Sequence, residues 1–169
     1  MKPKTLNFVS LSFFTLILIC FFLPFVSITC ADTKIAKLKG TDLAFGTKIE
    51  YRQGDELFGR SKQTEKVEPE LFALLAFLLT IIGLVISTIA LSSKIEKQKN
   101  FQIALSIISL LIFISILALK FKLDSDISGR GELSGLELKY EAPYWIVLIS
   151  SIINFLLVVF FRQVKSDEV

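Results

Sequence analysis

Four long apolar runs divide the chain, and none of them contains Asp, Glu, Lys or Arg. They cover residues 6–23, 71–92, 101–119 and 144–161. At about 1.5 Å per residue, helices of this length match the roughly 30 Å hydrocarbon core of a membrane. A helix on the surface of a soluble protein would carry a polar stripe along one face, and none of these runs does. The pattern therefore predicts four transmembrane helices.

The segments between the runs alternate apolar and polar positions at several points. Residues 26–30 (VSITC) and 35–39 (IAKLK) alternate on either side of a turn-forming stretch, and residues 136–141 (LELKYE) alternate again. A period of two with β-branched residues is typical of strands. We expect a hairpin from the first two stretches and one small sheet that joins them to the third. Pro24, which cannot donate a backbone hydrogen bond, should end or kink the first helix before this hairpin.

Two other stretches complete the predicted outer loops. Residues 40–46 (GTDLAFG) suit a single helical turn between glycines, whereas residues 47–70 show no period that predicts a regular element. The outer loops then cover about 24–70 and 120–143, and neither is long enough to bury a core of its own. The predicted fold class is all-α transmembrane. One domain over residues 1–169 forms a four-helix membrane bundle with a small extracytoplasmic β-sheet contributed by both outer loops.

Composition supports a membrane protein and argues against several other classes. The chain is 53% hydrophobic and its mean hydropathy is +0.64, well above the values of soluble domains. The net charge of +3 is small, and no basic stretch alternates with aromatic residues, so nucleic acid is not an expected partner. The lipid bilayer is the expected partner, together with another membrane protein or further copies of the chain.

The distribution of charge favours cytoplasmic termini. Residues 1–5, 93–100 and 162–169 carry seven Lys or Arg within 21 residues. The two outer loops carry the other twelve, diluted over more than three times that length and matched by thirteen acidic residues. The raw count of basic residues favours the opposite orientation, but their density in short segments favours both termini inside.

The end of the first run resembles a processing site. A cleaved secretory signal has an apolar core of about 7–15 residues, and this run is longer. Lipid attachment at Cys30 would require a small residue before it and a leucine three positions before it, where the sequence has Thr29 and Ser27. We therefore expect an uncleaved helix, with lipidation of Cys30 as the alternative. Cys20 is interpreted as a packing residue, too far along the helix from Cys30 for a disulfide.

Small residues recur along one face of the second predicted helix at spacings of three and four. They are Ala73, Ala76, Thr80, Gly83, Ser87 and Ala90. Such a seam lets the backbone of a neighbouring helix approach closely. The fourth run has one polar patch, formed by Ser150, Ser151 and Asn154. We interpret Asn154 as part of an interhelical hydrogen bond, with a role in a solute path as the alternative.

The sequence predicts no catalytic, cofactor or metal site. Histidine is absent, which removes the commonest zinc ligand and the commonest general base. Residues 124–129 (DSDISG) begin like a calcium loop, but Gly135 occupies the twelfth position, where a bidentate glutamate belongs. The alternative for this stretch is a continuation of the third helix that ends at Gly129. Residues 66–70 (KVEPE) suit the first turn of the second helix. An enzyme is therefore not expected.

Several short motifs together resemble a known group of proteins. In order they are LPFVSITC, GTDLAFG, KVEPE, KLDSDI and LELKYEAPYW. The set is similar to an LPFVSxxC, EPE and YExxxW pattern found in small bacterial four-helix integral membrane proteins. The resemblance implies a multi-pass protein of the bacterial inner membrane and implies no activity, cofactor or site. Ala142 and Pro143 differ from the glycine and aromatic residue of that group.

Two classes of function fit these features. The first is a non-enzymatic interaction or accessory protein whose extracytoplasmic cap contacts a partner. The alternative is a transporter or channel for a small solute or lipid that acts as an oligomer, because four helices with one polar patch are few for a single-chain carrier.

Overall fold

The computed structural model describes residues 3–30, 33–53, 61–93, 95–131 and 136–164. The protein is mostly helical, with a small antiparallel sheet. In chain order its elements are α1 (Pro3–Phe21), β1 (Pro24–Cys30), β2 (Thr33–Lys39), α2 (Gly40–Phe45), β3 (Thr47–Gln53), β4 (Ser61–Val67), α3 (Leu71–Ser92), α4 (Ile95–Gly131), β5 (Leu136–Tyr140) and α5 (Ala142–Val164). Three helices are long and apolar enough to cross a membrane, over Leu71–Ser92, Asn100–Asp126 and Ala142–Phe160.

The first helix ends two residues earlier than the apolar run predicts. The Phe22 amide donates to the Ile19 carbonyl at 3.1 Å and the Leu23 amide donates to the Cys20 carbonyl at 3.0 Å. These bonds tighten the last turn before Pro24 begins β1. The apolar part of α1, Thr5–Phe21, is therefore shorter than the apolar parts of α3, α4 and α5. At about 1.5 Å per residue it spans about 25 Å.

The third predicted helix is much longer than its apolar run. The helix α4 has 37 residues and continues through Gly131, so residues 120–131 are helical, as in the alternative in which the third helix continues to Gly129. Lys120 and Asp124 form an ion pair of 2.5 Å at a spacing of four, which supports this helical extension. Residues 124–129 are helical, so they do not form a calcium loop, while Glu132 and Gly135 lie outside the described residues.

The predicted hairpin and its third strand are confirmed. The strand β1 lies between β2 and β5 and is antiparallel to both, with Ile28 opposite Ala36 on one side and Leu138 on the other. The predicted turn at residues 40–46 is the helix α2, and Gly46 ends it with φ 78°, a conformation that favours glycine. The side chain of Cys30 lies outside the described part of the chain.

A second hairpin lies in the stretch for which no element was predicted. The strands β3 and β4 pair antiparallel, from Thr47 opposite Val67 to Gln53 opposite Ser61. The sequence of β4, SKQTEKV, contains a single apolar residue. A strand without an apolar face has no alternation from which it could be recognised, and this is why the sequence analysis missed the hairpin.

The helix α3 packs against α1 and α4, and its predicted small-residue seam is confirmed. Each of the six seam residues of α3 is buried. The amide of Asn7 on α1 donates to the carbonyl of Ala90 at 3.5 Å, and Phe14 lies directly over Gly83. The two contacts are seven residues apart on each helix, and the residue number rises along α1 as it falls along α3. The helices α1 and α3 are therefore antiparallel along the seam, where α1 also buries Cys20.

Candidate functional site

The strands connect to the helices at one end, where polar side chains join the sheet to α4. The hydroxyl of Tyr140 on β5 donates to Asp124 Oδ1 at 2.6 Å. The ammonium of Lys120 lies 2.5 Å from Asp124 Oδ2 and 5.0 Å from the centre of the Tyr140 ring. The carboxylate of Asp124 thus accepts hydrogen bonds from Tyr140 on the strand and from Lys120 on its own helix. Lys120 also makes a cation–π contact with the ring of Tyr140. We call Lys120, Asp124 and Tyr140 the junction cluster.

The junction cluster keeps Tyr140 protonated. Burial raises the pKa of Tyr140, and the hydrogen bond that its hydroxyl donates to Asp124 raises this pKa further. The folded protein therefore holds the phenolic proton at pH values where an unfolded chain, with a tyrosine pKa of about 10, releases it. The hydroxyl acts as a donor that fixes β5 to α4.

We expect this shift to make stability depend on pH. Because the pKa of Tyr140 is higher in the folded state, its contribution is complete below about pH 10 and declines as the pH rises further. Thermal midpoints measured in detergent at about pH 9 and pH 11 should show a smaller fall for Tyr140→Phe than for the unsubstituted protein. Equal falls in the two proteins would contradict this assignment.

A second contact joins the start of α3 to α4. Glu70 pairs with Lys122 at 2.6 Å, and the Glu70 amide donates to the carbonyl of Leu43 on α2 at 2.7 Å. The side chain of Lys122 is 44% exposed, so the ion pair itself contributes little to stability. Its effect is geometric, since it holds α2, α3 and α4 together at the end that carries the strands. Glu70, the last residue of the KVEPE stretch, is therefore a positioning residue.

The contacts of the junction attach the sheet to the helices. Each polar atom of the junction cluster named above faces another member of the cluster or the backbone of α4. Within the described ranges, no three His, Cys, Asp or Glu side chains come together in a way that could hold a metal ion. Nearby, the hydroxyl of buried Tyr144 donates to the carbonyl of Ile116 at 3.1 Å and ties α5 to α4. These contacts fix the sheet on the helices.

A different polar group lies deep between the helices. The side-chain amide of Asn154 on α5 donates to Ser109 Oγ on α4 at 2.7 Å. The hydroxyl of Ser109 in turn donates to the backbone carbonyl of Leu105. The predicted interhelical hydrogen bond of Asn154 is thus confirmed. Its amide oxygen, however, is buried without a partner. An unsatisfied buried acceptor is unusual in folded proteins.

Three more buried atoms share this condition. They are Asn7 Oδ1, Ser10 Oγ and Ser87 Oγ. The sequence indicates Ser87 only as a small packing residue and does not single out Asn7 and Ser10. The same run contains Ser12 and Thr15, also three residues apart but exposed, so spacing alone does not distinguish the buried pair. We call Asn7, Ser10, Ser87 and Asn154 the orphan cluster.

The structure thus offers two candidate sites, the junction cluster at the end that carries the strands and the orphan cluster within the helices. The junction cluster is satisfied by its own contacts, whereas the orphan cluster has four buried atoms that need partners. Comparisons of the chain with protein-family models, with curated proteins and with solved structures find no match.

Proposed function

We propose that the chain is a multi-pass protein of the bacterial inner membrane, in which α1, α3, α4 and α5 all span the bilayer. The apolar lengths of α3, α4 and α5 support this proposal, and α1 packs lengthwise against α3 and α5. The strands then form an extracytoplasmic cap and both termini are cytoplasmic. In this orientation Trp145, 43% exposed near the start of α5, lies at the outer interface, where tryptophan is enriched.

The function supported best is that of a non-enzymatic interaction or accessory protein. The observation that carries this proposal is the firm attachment of a sheet with open edges to the helices. The sheet order β2-β1-β5 makes β2 and β5 its edge strands. Lys37 on β2 and Glu137 and Lys139 on β5 are exposed. An edge strand can pair with a strand of a partner, and charged side chains beside it select the partner.

Crosslinking in intact cells tests this role. A photoreactive residue at Lys139, on β5, should crosslink to a second protein that also copurifies in mild detergent. The matched control is Leu78 on α3, which is 47% exposed and faces away from the seam. A crosslinker there should reach mainly lipid. Recovery of a pure homo-oligomer, with no protein crosslinked from Lys139, would contradict the interaction role.

The orientation gives a prediction that is independent of any partner. Single cysteines at Gly54 and Lys139, in a background that lacks Cys30, should react with an impermeant maleimide added to whole cells. A single cysteine at Gln98, between α3 and the apolar part of α4, should react only after the membrane is opened. The reversed pattern would place the strands in the cytoplasm.

The orphan cluster favours a second candidate function, a small-solute or lipid transporter or channel that acts as an oligomer. Polar side chains inside a membrane domain often mark a solute path. Here they come from α1, α3 and α5 and include no charged group. Uptake measured in proteoliposomes, compared with an Asn154→Leu variant, tests this function directly. A pure oligomer with bound lipid would favour it over the accessory role.

A further inference from the structure

The buried interior of the helices contains aromatic rings near the strands and polar residues at several levels farther from them. Near the strands the rings of Phe21 and Phe77 lie 5.4 Å apart, and those of Phe25 and Tyr144 lie 6.2 Å apart. The buried polar residues of the helices are Asn7, Ser10, Thr80, Ser87, Gln102, Ser106, Ser109, Ser115, Ser150, Ser151 and Asn154. Buried apolar residues lie among them, including Leu6, Ala90, Leu105 and Val158.

Part of the orphan cluster is brought together by the register of α1 and α3. Asn7 on α1 contacts Ala90 on α3. Ser10 lies three residues after Asn7, and Ser87 lies three residues before Ala90 on the antiparallel helix. The two serines therefore lie at the same level of the seam, one turn from Asn7. Both are at most 1% exposed, and both hydroxyls lack a partner.

Leaving these atoms dry would be unfavourable. A buried donor or acceptor without a partner loses the hydrogen bonds it made to water and gains nothing in return. Three such atoms lie within about one turn on α1 and α3, the fourth lies on α5, and each belongs to a residue that is at most 1% exposed. Buried polar groups of this kind are generally satisfied by internal water or by a ligand.

The chemistry of the four atoms restricts what can bind. The amide oxygens of Asn7 and Asn154 only accept hydrogen bonds, whereas the hydroxyls of Ser10 and Ser87 can donate and accept. A ligand that satisfies these atoms must therefore donate, and it can also accept from the serine hydroxyls. Because no charged residue in the described part of the chain is buried, nothing there would compensate an ion. The ligand is also small, since the ring of Phe14 fills the next level of the seam over Gly83.

We propose that the orphan cluster is a site for water molecules inside the membrane-spanning helices. Water is the smallest neutral molecule that both donates and accepts, and it suits a site lined by serine and asparagine. The contact of Phe14 with Gly83 limits the hydrated region on the side of the strands. The proposal goes beyond the accessory role and holds whether or not the cap binds a partner.

Cysteine reactivity tests this hydration directly, because a thiol reacts as the thiolate, which forms in a wet site and not in a dry one. Ser87→Cys is prepared in the full chain, with Cys20 and Cys30 replaced, and treated with the neutral, water-soluble hydroxyethyl methanethiosulfonate. The matched control is Ala76→Cys, which is equally buried on the same seam but lies nearer the strands, beyond the contact of Phe14 with Gly83. We expect Ser87→Cys to react about tenfold faster. Equal rates would overturn the proposal.

A stability measurement provides an independent test. If the hydroxyls of Ser10 and Ser87 bind water, the double variant Ser10→Ala/Ser87→Ala loses those bonds. The control, Ser12→Ala/Ser92→Ala, removes two exposed serines of the same helices and corrects for the higher helix propensity of alanine. The variant of the buried serines should have the lower thermal midpoint in detergent. An equal or higher midpoint would show that the hydroxyls are dry and would overturn the proposal.

Discussion

Gly83→Leu should destabilise the helices more than any other single change along the seam of α3. A Cβ atom on residue 83 would lie 2.5 Å from Cε1 and 2.7 Å from Cζ of Phe14, closer than carbon atoms approach in folded proteins. Phe14 is completely buried, so its ring can make room only by shifting within the interior of the helices. Inserting a larger side chain into such a site costs typically about 1–3 kcal/mol.

The membrane makes this cost harder to recover. In water, an added leucine gains hydrophobic stabilisation, but lipid tails are as apolar as leucine and offer no such gain. The helices α1 and α3 would have to separate, and the contact of Asn7 with Ala90 would be lost with them. The free energy of unfolding should therefore fall, as measured by steric trapping or by thermal aggregation in detergent.

Two further variants decide whether the close contact is the cause. Leu78→Ala removes a side chain that is 47% exposed and should cost below about 1 kcal/mol. Gly83→Ala combined with Phe14→Leu should recover part of the stability that Gly83→Ala loses, because the smaller side chain at residue 14 makes room. If Leu78→Ala were the more damaging change, the seam would face lipid and the packing described above would be wrong.

Tyr144→Ala should have the other large effect, because this residue joins three parts of the molecule. Its side chain is completely buried, its ring lies 6.2 Å from that of Phe25 on β1, and its hydroxyl bonds α4. Truncation of a buried aromatic residue to alanine typically costs about 3–5 kcal/mol, because a cavity remains. We expect a loss of this size in thermal or chemical unfolding in detergent.

A graded series separates the ring from the hydroxyl. Tyr144→Phe removes only the bond to the Ile116 carbonyl and should cost about 0.5–1.5 kcal/mol. Ile149→Ala, on the same helix but 51% exposed, serves as the control and should have a smaller effect than Tyr144→Ala. A loss for Tyr144→Phe as large as that for Tyr144→Ala would show that the hydroxyl, not the packing of the ring, holds α5 in place.

The features that the sequence predicted well are those that leave a periodic pattern. The seam from Ala73 to Ala90 repeats every three or four residues, and every member is buried in the structure. The strands at residues 26–30, 35–39 and 136–141 alternate, and they pair in one sheet although more than a hundred residues separate the first from the last. Periodicity reports which face is buried, and this is enough to identify such elements.

The features that the sequence did not predict leave no such pattern. The extension of α4 beyond residue 119 is rich in charge, so hydropathy marks the end of the apolar run rather than the end of the helix. The strand β4 has a single apolar residue and cannot alternate, so the sequence offers no partner strand for β3. Asn7 and Ser10 were missed because the first run contains four polar residues and does not reveal which of them point inward at a seam. Partner and register are set by tertiary packing, which a single segment does not encode.

The length of α4 has a mechanical consequence. Its 37 residues form one continuous rod of about 55 Å, with an apolar part suited to the bilayer and a charged end beside the sheet. Because Tyr140 fixes β5 to Asp124 on this rod, the edge strand cannot move independently of the helix axis. A change of bilayer thickness that alters the tilt of α4 would therefore also displace β5, because the strand is bonded to the end of this helix.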